Sequence, residues 1–257
     1  MNGALAIGSV SLRAQQKALD TIANNIANVN TPTFKRSDIR FSEVMAIQTE
    51  PVSQVDMRAL QEPSQTGGVR MTAHEMNLEQ GEIRISGNKL DLAIDGPGFI
   101  ELMGPEGQNL LWRGGRLQVN ADGLLASSNG LALRAAITIP DDATNLQITP
   151  EGIVRADVEG DGTIDLGQIT LARVDNEAQI ERLDSGMFKA VLDARVTDAR
   201  AGEDGAGLFA QGSTESSNVQ LTTEMVDLLT VQRAFAASAQ IVQAADQISG
   251  ILNSLKR

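Results

Sequence analysis

The run Asp157-Val158-Glu159-Gly160-Asp161-Gly162-Thr163-Ile164-Asp165 imitates a calcium loop, with carboxylates at the first, third, fifth and ninth positions and glycine at the sixth. The twelfth position is Gln168, which cannot supply a bidentate carboxylate, and strand-like Ile153-Val154 and Ile169-Thr170-Leu171 flank the run where helices would be needed. Asp161-Gly162 is also a common hairpin turn. A solvated hairpin is therefore the favoured reading, with Asp157, Glu159, Asp161 and Asp165 as a weak calcium candidate beside it. Gly96-Pro97-Gly98-Phe99 has the glycines of a phosphate loop, but Pro97 removes an N–H that a cradle needs and strand residues follow, so a turn is expected. His74 stands among Thr72, Ala73 and Glu75 without a second histidine or any cysteine, as a solvated loop histidine would. Asp141-Asp142 after Pro140 reads as an exposed turn. Trp112, with Arg113 and Arg116, is either a stacking contact for a neighbour or an ordinary hairpin side chain.

The rest of the composition narrows the chemistry further. The 257 residues include no cysteine, no tyrosine, one histidine and one tryptophan. Acid–base work near neutral pH would fall on carboxylates and lysines alone. Aromatic residues are 3% against 42% hydrophobic, which leaves little for an aromatic-lined pocket. These features argue against an enzyme, and no catalytic residue or cofactor is expected. The 33 acidic and 21 basic side chains leave a net charge of −12, which argues against nucleic acid as a partner. No apolar run reaches the ~18 residues of a bilayer span, so no direct membrane insertion is expected. The start, MNGALAIGSVSLRAQQ, has no basic segment ahead of an apolar one, and no cleavable secretory signal is expected there.

Three compositional parts must position these residues. Leu5, Leu12, Leu19 and Ile26 recur every seven residues, with Ile22 and Val29 each three positions after a member of the series. This spacing predicts an amphipathic helix from about residue 3 to Val29 with a narrow, coiled-coil-like stripe, stopped before Asn30-Thr31-Pro32. From Leu221 to Leu255 the chain has no proline and one glycine, Gly250. Leu221, Leu228, Phe235 and Val242 form one seven-residue series there. Val231, Ala234, Ser238, Ile241, Ala245, Ile248, Leu252 and Leu255 form another, and Met225 widens the apolar surface. Two apolar faces are more than one partner helix can cover. Between the helices, residues 80–212 read as short strands punctuated by Gly96-Pro97-Gly98, Ala121-Asp122-Gly123, Ser128-Asn129-Gly130 and Gly160-Asp161-Gly162. Strand-like pieces include Ile137-Thr138-Ile139, Leu146-Gln147-Ile148 and Ile164-Asp165-Leu166. The expected class is α+β: long terminal helices around a central all-β domain, divided as 1–30 (helix), 31–79 (extended connecting arm), 80–212 (β domain) and 213–257 (helix).

Several of these stretches, in order, resemble the axial rod and hook proteins of the bacterial flagellum. Ala14-Gln15-Gln16, the run Ile22-Ala23-Asn24-Asn25-Ile26-Ala27-Asn28-Val29-Asn30-Thr31 and Phe34-Lys35-Arg36 are similar to that family's N-terminal signature. Ser217-Asn218-Val219, Glu224-Met225-Val226-Asp227-Leu228-Leu229 and Gln232-Arg233-Ala234-Phe235 are similar to its C-terminal one. Gln80-Gly81, Leu90-Asp91-Leu92-Ala93-Ile94 and Gly96-Pro97-Gly98-Phe99 match the opening of its β domain. Thr33 stands before Phe34 where the family often has glycine, so a left-handed turn there needs another solution. The resemblance implies a structural subunit that polymerises helically, its terminal helices forming a coiled-coil tube, and the length suits a rod subunit. It favours the distal part of the rod, with the proximal part as the alternative; a calcium-binding β module is the remote one. The implied partners are further copies of the chain, adjacent rod proteins, the hook protein, the surrounding basal-body rings and the flagellar export apparatus. The implied location is a rod crossing the periplasm, reached without signal cleavage. The expected assembly interface is Leu5, Leu12, Leu19, Ile22, Ile26 and Val29 with Asn24, Asn25 and Asn28 at one end of the chain, and Leu221, Met225, Leu228, Val231, Phe235, Ile241, Val242, Ile248 and Leu252 at the other. The resemblance gives those three amides lateral bonds between helices, the alternative being an exposed polar face.

Overall fold

The computed structural model describes residues 2–44, 68–160, 162–175, 179–183, 186–191, 194–203 and 205–255. The fold is α+β, and the chain divides into two compact units, each discontinuous in sequence. Unit 1 comprises Met1–Ala27, Ser37–Glu75 and Gln220–Arg257; unit 2 comprises Asn28–Arg36 and Met76–Val219.

Unit 1 holds the two long helices, α1 (Asn2–Ala27) and α2 (Leu221–Leu255), and two strands that pair with each other, β1 (Ser37–Val44) and β2 (Gly68–Met76). Both strands lie in the segment expected to be an extended arm. His74 therefore stands in a strand and not in a loop; its side chain is outside the described residues. Helix α1 ends two residues before Val29, because the Asn28 carbonyl accepts the Thr31 N–H in a turn and Pro32 follows. Helix α2 spans 35 residues, about 52 Å, and its limits are those expected from the sequence.

Unit 2 is built of short strands. In chain order they are β3 (Ile83–Ile85), β4 (Asp91–Asp95), β5 (Phe99–Met103), β6 (Asn109–Trp112), β7 (Gly114–Val119), β8 (Leu125–Ser127), β9 (Ala143–Ile148) and β10 (Ile153–Val158). Then come β11 (Gly162–Gln168), β12 (Leu171–Val174), β13 (Ile180–Arg182), β14 (Met187–Ala190), β15 (Val196–Ala199), β16 (Leu208–Gln211) and β17 (Ser213–Glu215). They form a six-stranded sheet in the order β13-β14-β6-β5-β12-β15, a four-stranded sheet β16-β4-β7-β8, a three-stranded sheet β11-β10-β9 and the pair β17-β3.

The six-stranded sheet is buried on both faces, and strand alternation shows why. Ile100, Leu102, Leu110, Trp112 and Leu171 point into the main core with Leu92, Ile94, Leu117, Leu125 and Leu133. Their neighbours Phe99, Leu111 and Ala172 point the other way and meet Ile180 and Phe188 in a second cluster, where the Phe99 and Phe188 rings pack edge to face at 5.5 Å. Trp112 is thus a core residue, 3% exposed, and not a surface for a neighbour. Two expected strands depart from the pattern: Ile169 and Thr170 lie in the break between β11 and β12, which leaves only Leu171 of that piece in a strand, and the other is absent. Ile137-Thr138-Ile139 makes a single bridge, Thr138 to Leu124, between left-handed Ala136 (φ 45°) and Pro140, which has no N–H to extend a ladder.

Candidate assembly interface

The seam between α1 and α2 runs antiparallel. Asn25 meets Glu224, Gln15 and Ser11 meet Ser238, and Gly8 lies against Val242. Small residues let the two backbones approach: a Cβ on Gly8 would sit 2.5 Å from a Val242 methyl, and Ala14 and Ala18 are buried on the same helix. The lower end of the seam is polar. The Asn25 amide, 1% exposed, donates to Glu224 Oε2 (3.2 Å) and to the Ser37 carbonyl (3.0 Å), and its Oδ1 accepts the Ser37 N–H (3.1 Å). Asn25 therefore ties the end of α1 to the start of α2 and the start of β1, while Asn24 is exposed and Asn28 half-buried.

The other residues expected at the interface fall into three groups. Ile22 is buried, and Leu228, Val231 and Val242 are half-buried. Leu12, Leu19 and Ile26 are also half-buried, because the seven-residue series runs beside the stripe of small residues that meets α2; Val29, beyond the end of α1 and in unit 2, is half-buried as well. Leu221, Met225, Phe235, Ile241 and Ile248 are exposed, together with Val226, Leu229 and Ile251. The side chains of Leu5 and Leu252 lie outside the described residues. Ile241, at 61% exposure, and Ile248, at 54%, stand nearly two helical turns apart on a face of α2 that α1 leaves uncovered.

Unit 2 contains a feature that composition hides. Glu215, 0% exposed, accepts from Lys35 Nζ at 2.6 Å and from the Gly81 N–H at 2.8 Å through Oε1, and from Arg113 Nε at 2.9 Å through Oε2. Lys35 also donates to the Glu79 carbonyl, and Arg113 to the Gly96 and Gly98 carbonyls. The Gly96-Pro97-Gly98 turn thus presents carbonyls to a cation, the reverse of a phosphate cradle. Every oxygen of the carboxylate is engaged, and loss of one partner from such a buried set costs on the order of 3–5 kcal/mol. Arg182 spreads over the Phe34 ring at 4.0 Å, donates to the Lys35 carbonyl, and has its pKa lowered by burial. Asn218 bridges further: it accepts the Arg36 N–H at 2.6 Å and donates to the Asn77 and Glu79 carbonyls. Four of the family-like stretches, Phe34-Lys35-Arg36, Gln80-Gly81, Gly96-Pro97-Gly98-Phe99 and Ser217-Asn218-Val219, meet here.

The calcium-like run is a hairpin of β10 and β11. Asp157 accepts from Thr163 at 2.6 Å and Asn145 at 2.9 Å, and Asp165 accepts from Arg155 at 2.6 Å, so both carboxylates are engaged within the sheet. Glu159 is exposed at the tip, and Asp161 lies outside the described residues.

Three family models match the chain in order. "Flagella basal body rod protein" covers residues 7–35, "Flagellar hook protein FlgE/F/G D1 domain" residues 93–156, and "Flagellar basal body rod FlgEFG protein C-terminal" residues 210–255. The flagellar basal-body rod protein FlgG of Agrobacterium fabrum is 35% identical, over 97% of this chain and 98% of its own. The chain belongs to the flagellar basal-body rod family. FlgG of Caulobacter vibrioides is 32% identical over 98% of this chain and 99% of its own, and FlgF of the same organism is 29% identical over 97% and 96%. The FlgG type is the one supported, and the chain is a structural subunit of the rod. The two terminal family matches contain α1 from residue 7 onward with Lys35, and Glu215 with α2, so the buried set of charges draws on both ends of the family's pattern.

Proposed function

We propose that the chain polymerises helically into the hollow shaft of the distal rod, through which torque reaches the hook and exported subunits pass. The observation that carries this reading is the apolar face of α2 that α1 leaves uncovered, centred on Ile241 and Ile248. A long helix with one face on its own partner and another bare of cover is suited to stacking against further copies, by contacts that propagate without closing. In this reading α1 and α2 pack as layers of a coiled-coil tube, and the role is mechanical and not catalytic. The neighbours are copies of the chain, adjacent rod proteins, the hook protein and the surrounding rings, and the subunit reaches the periplasm through the export apparatus without signal cleavage. The acidic balance of the chain favours basic surfaces on those rings.

Changing Ile241 and Ile248 to Asp puts two charges on that face, each replacing an isoleucine whose full burial is worth about 1.5–3 kcal/mol. The variant is expected to keep its helix content and its Trp112 fluorescence and to be absent from isolated basal bodies. Incorporation at the normal level would overturn the packing proposed for α2.

A further inference from the structure

Two segments of unit 2 continue in the chain into the long helices: residues 28–36 follow α1, and residues 213–219 precede α2. They lie side by side. The Thr33 N–H donates to the Glu215 carbonyl at 2.9 Å, the Asn218 N–H to the Phe34 carbonyl at 3.4 Å, and the Arg36 N–H to Asn218 Oδ1. The side chains that join them are charged and buried: Lys35 from one segment and Glu215 from the other pair at 1% and 0% side-chain exposure, and Arg113 closes the set at 4%. The approach leaves no room for a side chain at Gly81, where a Cβ would run into the Ser216 carbonyl.

We propose that Lys35, Glu215 and Arg113 form a clasp that makes these two root segments one cooperative element, so that loosening either loosens the other. Burial is what gives the clasp this property. Exposed ion pairs exchange their partners for water at little cost, whereas a buried carboxylate between two cations has no such substitute. Neutralising Glu215 leaves Lys35 and Arg113 facing each other without an anion, and removing Lys35 strips one of the bonds that hold the Glu215 segment in place. Glu215 is thus a positioning residue for the chain that launches α2, and Lys35 for the chain that leaves α1. Resting on the rod reading above, the clasp couples the root of one terminal helix to the root of the other.

The test is amide hydrogen exchange on the full, unassembled chain, so its result stands apart from whether the chain enters a rod. Lys35→Met is expected to speed exchange in residues 213–219, and Glu215→Gln in residues 28–36, each by about tenfold, a coupling of ordinary size. The amides of β5 and β6 should keep their protection in both variants, and Lys35→Arg, which retains the charge, should restore most of the protection in residues 213–219. Loosening confined to the substituted segment, no loosening at all, or uniform loss that includes β5 and β6 would each overturn the clasp.

Discussion

Thr33 sits at φ 60°, a left-handed conformation that a β-branched residue rarely adopts, and it is buried. Its surroundings supply what glycine would otherwise make unnecessary. The N–H is held by the Glu215 carbonyl, Oγ1 donates to the Pro32 carbonyl at 2.6 Å, and Gly186, itself left-handed at φ 70°, leaves the space that Oγ1 occupies. A Cβ on Gly186 would collide with that hydroxyl. Thr33→Gly should therefore relieve about 1–2 kcal/mol of backbone strain, partly offset by about 0.5–1 kcal/mol of added freedom in the unfolded chain, and raise the denaturation midpoint slightly. Gly186→Ala should cost clearly more in the native background than in the Thr33→Gly background, since the second carries the left-handed penalty without the collision. Equal costs in both backgrounds, read from chemical denaturation, would contradict this coupling.

Among the elements, the β10–β11 hairpin has a pH dependence of its own. Hydrogen bonds from Thr163 and then Asn145 hold the Asp157 carboxyl below the usual carboxylate range. A depressed carboxylate contributes stability that is present above its unfolded value near ~3.9 and is lost as pH falls through its folded value. The difference in melting temperature between the native chain and Asp157→Asn should accordingly be full at neutral pH and close in the acid range below about pH 4. A difference that does not change with pH would show that the charge of Asp157 contributes nothing. The long helices were the most legible elements, because periodicity over 26 and 35 residues outweighs local noise. The seam between them was less so: the leucine series of α1 is conspicuous, yet the face that meets α2 is carried by Gly8, Ser11, Ala14, Ala18 and Asn25, whose value is small size and one amide. Ile137-Thr138-Ile139 misled because Pro140 and the left-handed Ala136 act on the backbone and leave the apolar pattern untouched. The buried charges were not legible. Nothing along the chain marks Lys35, Arg113, Glu215 and Glu224 as buried, and what buries them is closure across as many as 199 residues.

For the whole molecule, the two ends of the chain carry the family's terminal patterns, and the central strands carry its β-domain pattern. In unit 1 the ends form a helix pair with an uncovered apolar face; in unit 2 the segments that continue into those helices meet around Glu215. In the proposed packing that face is covered by further copies, and the function is read from what is built with the chain. The most direct measurement is electron microscopy of basal bodies isolated from a host whose gene for this chain is deleted, with the gene restored in a control. The account predicts a short rod that carries no hook, and a complete structure in the control. Intact, hook-bearing basal bodies in the deletion strain would contradict it.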